Sequence, residues 1–405
     1  MRKLRTILIW GLVSVGLQIG FLYYLEHQIK GDANASTTPQ PPKIIQTTVS
    51  LTGTNIKNLQ ASYNKDYLAF YDSQGFKVVA IKTGKVVFEE AKPAKGELLG
   101  YHWLPDRNTL LFVTTRANPK AKGSSVVSRS EPNFRPLIKE DPLEKTPSTT
   151  PATTPTPAPA PKPAPPAIPS QLTELYTVDF AATDEESPPD RKLGRRLDGF
   201  PAGSTIQSMD VSTYTNLIYL MVKTSNGQLV YEIDVMANVR TVQRSGEKIS
   251  RMVVSDKKGT LYLQSILSGT PQIVAVKHSG REQVLKGSEY VLLGVDAGKL
   301  LVGLVQEGHL SSILSLNDQG VQDKSSSKTS TMWTGQIPWK SSDSVEVSNN
   351  FISLFDGQRI VVLDNGKERA VTPSGDDNYL TSDGREVMEV RPNGDGTVQV
   401  NFKPL

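Results

Sequence analysis

The chain has 405 residues, 37% of them hydrophobic, enough for one large all-β domain or two ordinary ones with a substantial core, and this excludes a disordered protein. Its formal charge is +4, but Arg2, Lys3 and Arg5 contribute three of those charges ahead of the first apolar run, so the remainder is nearly neutral and gives no ground for nucleic-acid binding. Cysteine is absent, which excludes disulfides, thiolate nucleophiles, zinc-thiolate and iron–sulfur sites and a lipidated N-terminal cysteine.

Residues 6–25, TILIWGLVSVGLQIGFLYYL, carry no charge. At 1.5 Å per residue such a helix just crosses a hydrocarbon core of about 30 Å. The spacing therefore predicts one transmembrane helix that acts as a signal anchor. Arg2, Lys3 and Arg5 precede it, while Glu26, His27 and Lys30 behind it nearly cancel, so residues 1–5 are expected as a cytoplasmic stub and the bulk of the chain outside the cytoplasm. Trp10, Tyr23 and Tyr24 suit the two interfaces. Ala33-Asn34-Ala35 has the small-x-small form of a signal-peptidase site, but the apolar run is longer than a signal peptide needs, and the uncleaved anchor is the expected form.

Residues 26–43 are polar, contain Pro39, Pro41 and Pro42, and read as a flexible spacer. From 44 to 405 helical periodicity is nearly absent. Short β-branched or aromatic runs alternate instead with Gly, Asn, Asp and Ser turns, as in YLAFYDSQGFKVVAIKTGKVVFE (67–89) and LIYLMVKTSNGQLVYEIDV (217–235). A Pro/Thr/Ala-rich tract at about 117–170 interrupts the pattern and is expected as a solvated insert. Its flanks, TLLFVTT (109–115) and TELYTVDF (173–180), would be hairpin partners without it, and a long loop adds little closure entropy.

Aligned on the strand openings Tyr67, Thr109, Leu217, Gly259, Lys299 and Phe351, the units repeat at about 42, 108, 42, 40 and 52 residues, the 108 containing the insert. That period, with three to four strands per unit, predicts a β-propeller of six to seven blades. The last segment, 379–402, supplies three strands, and IIQTTVSLTG (44–53) from the other terminus can complete its blade and close the ring.

His102-Trp103-Leu104-Pro105-Asp106-Arg107-Asn108-Thr109-Leu110-Leu111-Phe112-Val113 resembles the turn-and-strand repeat of TolB-like and dipeptidyl-peptidase-IV N-terminal-like propellers, a WD-repeat-like class. Weaker echoes stand at Tyr63–Phe70, Val254–Tyr262 and Thr381–Val387. The resemblance implies a fold and no fixed function. Asp66, Asp106, Asp256 and Asp383 are expected to cap turns through backbone N–H groups. In the peptidases that carry such a propeller, catalysis resides in a separate α/β-hydrolase domain, and no G-x-S-x-G elbow occurs here.

Only four histidines occur, His27, His102, His278 and His309, and none has a metal-ligand spacing to another. Arg391–Thr397 is similar to an oxygen-rich calcium loop through Asn393, Asp395 and Thr397, but lacks the closing glutamate, and Asn-Gly and Asp-Gly read first as hairpin turns. Asp376-Asp377 and Glu185-Glu186 fall in polar loops and read as solvated surface. Trp333 and Trp339, in TMWTGQIPWK, offer a platform for a sugar ring or peptide, or else fill the core between blades; His102 and Trp103 belong to a blade core or to the face of the ring.

The expectation is a membrane-anchored extracytoplasmic β-propeller that serves as a binding or scaffolding module in a cell envelope. It is expected to be no enzyme, with no catalytic or metal residues and no cofactor. Partners of the expected kind are an envelope protein, a peptide or a cell-wall glycan, together with the membrane through residues 6–25 and no nucleic acid. The alternatives are a glycan-active propeller (hydrolase or lyase) using carboxylates at the channel mouth, and a ligand sensor working through a membrane partner.

Overall fold

A computed structural model describes residues 47–405 without 54, 92–96, 119–170, 181–188, 198–199, 226, 237, 256–257, 278–279 and 319–328. The expected membrane helix, the spacer of residues 26–43, residues 44–46 and all but the first two residues of the proline-rich tract lie outside the described residues. Among the described residues no helix is long and apolar enough to cross a membrane.

These residues form 28 strands in seven four-stranded antiparallel sheets. The first strand, β1 (Thr48–Thr52), starts no sheet of its own. Blade 1 follows as β2 (Lys57–Ala61), β3 (Tyr67–Tyr71), β4 (Gly75–Ala80) and β5 (Val86–Ala91). Blade 2 is β6 (Glu97–Trp103), β7 (Thr109–Ala117), β8 (Gln171–Asp179) and β9 (Asp190–Arg196), and blade 3 is β10 (Thr205–Ser212), β11 (Leu217–Thr224), β12 (Gly227–Ile233) and β13 (Val239–Thr241). Blade 4 is β14 (Lys248–Val254), β15 (Leu261–Leu267), β16 (Thr270–Lys277) and β17 (Gly280–Lys286). Blade 5 is β18 (Tyr290–Asp296), β19 (Lys299–Gln306), β20 (His309–Asn317) and β21 (Ser330–Pro338), and blade 6 is β22 (Ser344–Ser348), β23 (Phe351–Phe355), β24 (Ile360–Asp364) and β25 (Lys367–Val371). Blade 7 takes β26 (Asp377–Leu380), β27 (Glu386–Pro392) and β28 (Thr397–Pro404) from the C-terminus. β1 completes it, pairing with β28 from Thr48↔Asn401 to Thr52↔Thr397, so the two ends of the ring share one sheet, and the blade count is seven.

The first strands of successive blades pack on one another from β2 through β22, and β26 returns to β2, which places them around a central axis. Each of the seven blade interfaces holds its own apolar cluster. This follows from the period of two along a strand. In β3, Leu68 and Phe70 face blade 7 while Tyr67 and Ala69 face blade 2. A strand buried on both faces must be apolar at every position, which is why the second strands read so clearly in the sequence.

Because the strands of a blade alternate in direction, the turns between first and second and between third and fourth strands emerge on one face of the ring. Turns between second and third strands, and the connections to the next blade, emerge on the other. β1 starts at the first of these, here the entry face, since Thr48 lies opposite Asn401 near the end of β28. The proline-rich tract joins β7 to β8 and therefore leaves from the opposite face, here the insert face. Its two flanking strands pair in register to Ala117↔Gln171, the hairpin read from the sequence.

Polar links bridge neighbouring blades near the entry face. Asn108 donates to Asp66 at 3.1 Å, and Asp210 accepts the Val254 amide at 2.9 Å. Asp296 accepts the amides of Asn349 and Asn350 at 2.8 and 2.7 Å, and Ser353 Oγ donates to the Gly384 carbonyl at 2.5 Å. Of the four expected aspartate caps, only Asp383 is seen to hold its own turn through a backbone amide, Arg385 N, at 3.2 Å. Asp66 is drawn to the next blade instead, Asp106 pairs with Arg107, and Asp256 lies outside the described residues. The caps are hydroxyls earlier in each turn: Ser62 accepts from the Asp66 and Tyr67 amides, Ser212 from Thr215, Ser255 from Lys258 and Thr381 from Glu386. A short hydroxyl side chain closes such a turn at its first residue, which leaves the later aspartate free to reach sideways.

Candidate functional site in the central channel

Two first strands, β14 and β22, each carry a single charge toward the centre of the ring. Arg251 in β14 interrupts an apolar alternation of Ile249, Met252 and Val254, all buried. Its guanidinium donates to the Leu292 carbonyl of blade 5 at 3.2 Å and to the Asp343 carbonyl, just before blade 6, at 2.7 Å. A side chain from blade 4 reaches the edge of blade 6 only near the axis. The same guanidinium lies 5.5 Å from the ring centroid of Trp339, within cation–π range. Burial lowers the pKa of Arg251, while Asp343 and Glu346 oppose the shift.

Trp339 belongs to the connection from β21 to β22, on the insert face. Its amide donates to the Gly308 carbonyl at 2.9 Å, and the following turn is closed by Asp343, which accepts the Lys340 amide at 2.8 Å. The indole is half-buried against the cluster between blades 5 and 6. It thus stands at the insert-face mouth of the channel with one face on a cation.

Glu346 in β22 is the second charge of the channel. Burial raises its carboxyl to about 8, Asp210 of blade 3 and Asp383 of blade 7 add to the rise, and Arg251 counters it. Groups from blades 3, 4 and 7 act on one carboxyl of blade 6 only at the centre of the ring. The residue is half-buried with protein around it, as a channel position requires, and protein dipoles poorly replace bulk water around the anion. A carboxyl held near 8 keeps its proton at neutral pH and is then able to donate a hydrogen bond. A cation, an aromatic face and a neutral carboxyl in one channel suit a ligand that presents a carbonyl or anionic group beside an apolar one.

The residues singled out in the sequence do not gather here. Trp103 is 4% exposed, inside the aromatic cluster of blades 1 and 2, with its indole N–H on the Gln60 carbonyl at 3.4 Å. Trp333 is 7% exposed between blades 5 and 6, so it and Trp339 form no shared platform. The alternation of β6 sets His102 on the opposite side of its sheet from Tyr101 and Trp103, and burial lowers its pKa to about 4, so it is neutral at physiological pH. His309 is exposed, and His27 and His278 lie outside the described residues, as do Glu185 and Glu186. Asp395 accepts the amide of Thr397 at 2.8 Å and its hydroxyl at 2.5 Å, so the calcium-like loop is a hairpin turn. Asp376 and Asp377 are exposed at the rim of blade 7. Among the described residues no three potential ligands cluster for a metal.

Arg251 and Glu346 escaped the sequence reading. Their only signal is a lone charge within a short apolar strand, in KISRMVV and SVEVS, and a charge there points as readily to solvent as to a channel.

No protein-family model matches the chain, and no match to a curated protein was found. Its fold resembles that of a catalytically inactive virginiamycin B lyase from Staphylococcus aureus with quinupristin, at 9% identity and a TM-score of 0.47, over 89% of this chain and 100% of that one. It also resembles the WD40 β-propeller domain of Doa1, at 12% identity and a TM-score of 0.44, over 89% and 96% of the two chains. An oligogalacturonate lyase in complex with manganese aligns at 12% identity and a TM-score of 0.40, over 87% and 78%. The propeller assignment rests on the strand topology described above.

Proposed function

We propose that the protein is a membrane-anchored, extracytoplasmic binding or scaffolding module of a cell envelope and not an enzyme. Its ligand, an envelope protein, peptide or wall glycan, is held over the insert-face mouth. The observation that carries this reading is Trp339, half-buried on Arg251, at the mouth opposite the face where the chain enters the ring. Two carboxylates that act on Glu346 are already committed: Asp210 accepts the amides of Val211 and Val254, both at 2.9 Å, and Asp383 is engaged by Lys65. The test is crosslinking and pull-down of the intact protein from its own membrane beside Trp339→Ala. Loss of the captured species with the variant supports the mouth as the site, and identical capture overturns it.

One observation favours a second reading, a glycan-active enzyme: Glu346 keeps its proton near neutral pH, as a general acid must. Turnover of wall or capsule polysaccharide that Glu346→Gln abolishes would displace the binding reading.

A further inference from the structure

Three large apolar side chains stand far out in water. Tyr214 is 69% exposed, Val235 71% and Met236 64%, against 55% for the next, Leu193. All three belong to blade 3. Tyr214 sits in the turn between β10 and β11, and Val235 and Met236 sit in the turn between β12 and β13, so both turns emerge on the entry face. Two strand spacings separate them, about 10 Å.

These tips are held up by polar braces beneath them. Ser212 Oγ accepts the Thr215 amide at 3.2 Å under Tyr214. Asp234 accepts the Asn238 amide and side-chain amide, both at 2.8 Å, under Val235 and Met236. Asn and Asp close such turns without any apolar residue at the tip, so local folding gives no reason for a valine and a methionine there. An apolar patch of this kind on an otherwise polar rim marks a contact surface.

The entry face is also where β1 begins, at the outer edge of blade 7. Blade 3 lies three blades away in one direction and four in the other, across the ring. Read from the sequence as a flexible spacer, residues 26–43 would have a mean reach of about 23 Å, and on that reading the tether alone leaves the ring free to tilt. A second contact diametrically opposite fixes its orientation.

We propose that Tyr214, Val235 and Met236 seat blade 3 in the headgroup region of the bilayer, so that the propeller lies with its entry face on the membrane. This rests on the reading of residues 6–25 as an anchor. Tyrosine favours the interface because its ring is apolar and its hydroxyl wet, and methionine adapts to irregular apolar surroundings. The insert face, with Trp339 and the proline-rich tract, then points away from the lipid.

The absence of cysteine makes the test direct. Single-cysteine variants Val13→Cys, Tyr214→Cys, Met236→Cys and Gln358→Cys of the full chain carry a nitroxide in vesicles of phosphatidylethanolamine and phosphatidylglycerol. Accessibility to oxygen and to a water-soluble nickel complex is then read by electron paramagnetic resonance. Headgroup depth is expected at 214 and 236, and aqueous exposure at 358 on the insert face. Labels at 214 and 236 as aqueous as that at 358 overturn the proposal, and so does shielding from both reagents, which marks a protein contact. The label at 13 reports separately on the anchor: if it is aqueous the anchor reading fails, whereas a deep label at 13 with aqueous labels at 214 and 236 sinks the orientation alone.

Discussion

Lys65 of the first blade places its Nζ 2.9 Å from Asp383 Oδ2 of the last and also contacts Glu386, and all three side chains are nearly inaccessible to water. The ring closed by β1 and β28 at its rim is therefore closed again near its axis by one cation between two carboxylates. Neither closure resembles the other in chemistry: the first is a backbone ladder, the second a buried ion cluster.

Lys65→Met takes the shared cation away from two buried carboxylates, and the expected loss is about 3–5 kcal/mol of unfolding free energy in urea. Adding Glu386→Gln and Asp383→Asn to the same chain should recover much of it. A Lys65→Met protein as stable as the parent would mean that the cluster carries no net energy.

Asp318 ties blade 4 to blade 5. It is fully buried and accepts from Ser255 Oγ and from Tyr262 OH, the latter at 2.7 Å. Burial and this carboxylate together raise the Tyr262 pKa, so its phenol stays a donor. Asp318→Ala leaves two buried hydroxyls without that acceptor, and a loss of about 2–4 kcal/mol is expected in urea unfolding, against less for Asp318→Asn.

Two groups with burial-shifted pKa values should give stability opposite slopes against pH. The folded carboxyl of Glu346 is raised from 4.5 to about 8, so its contribution is fully present below 4.5 and is lost as pH rises through 8. His102 is lowered from 6.5 to about 4, so its contribution is present above 6.5 and is lost as pH falls through 4. Thermal midpoints of Glu346→Gln should no longer decline between pH 6.5 and 8, where the parent does. Those of His102→Phe should decline less on acidification.

The ladder between β7 and β8 runs without a break to Ala117↔Gln171. Replacing residues 119–169 by Asn-Gly should therefore leave a continuous hairpin, because closure entropy rises only slowly with loop length and a two-residue turn suits this register. The expected result is an unchanged far-UV circular dichroism spectrum and a midpoint within a few degrees of the parent. A collapse of cooperativity would show that the tract takes part in the fold.

Much of this architecture is legible in the sequence. The openings aligned on Tyr67, Thr109, Leu217, Lys299 and Phe351 are the first residues of β3, β7, β11, β19 and β23, and Gly259 falls two residues before β15. The shared last blade could be anticipated because 379–402 lacked a fourth strand and 44–53 had nowhere else to pair. The inner strands were harder to see. KNLQA, SVEVS and DNYL border the channel, where half of each strand meets polar surroundings and the apolar rhythm breaks.

Strand rhythm, blade period and ring closure were set by the sequence itself, since a blade packed between two others must be apolar on both sides of its middle strands and turn at regular intervals. Which residues meet was decided only by tertiary structure. Arg251, Trp339 and Glu346 lie on different blades and converge because a closed ring brings every first strand to one axis, and Tyr214 and Val235 share a face with the start of β1 because strand direction alternates within each blade. Local propensity carries no information about either, for both depend on where the chain returns to itself.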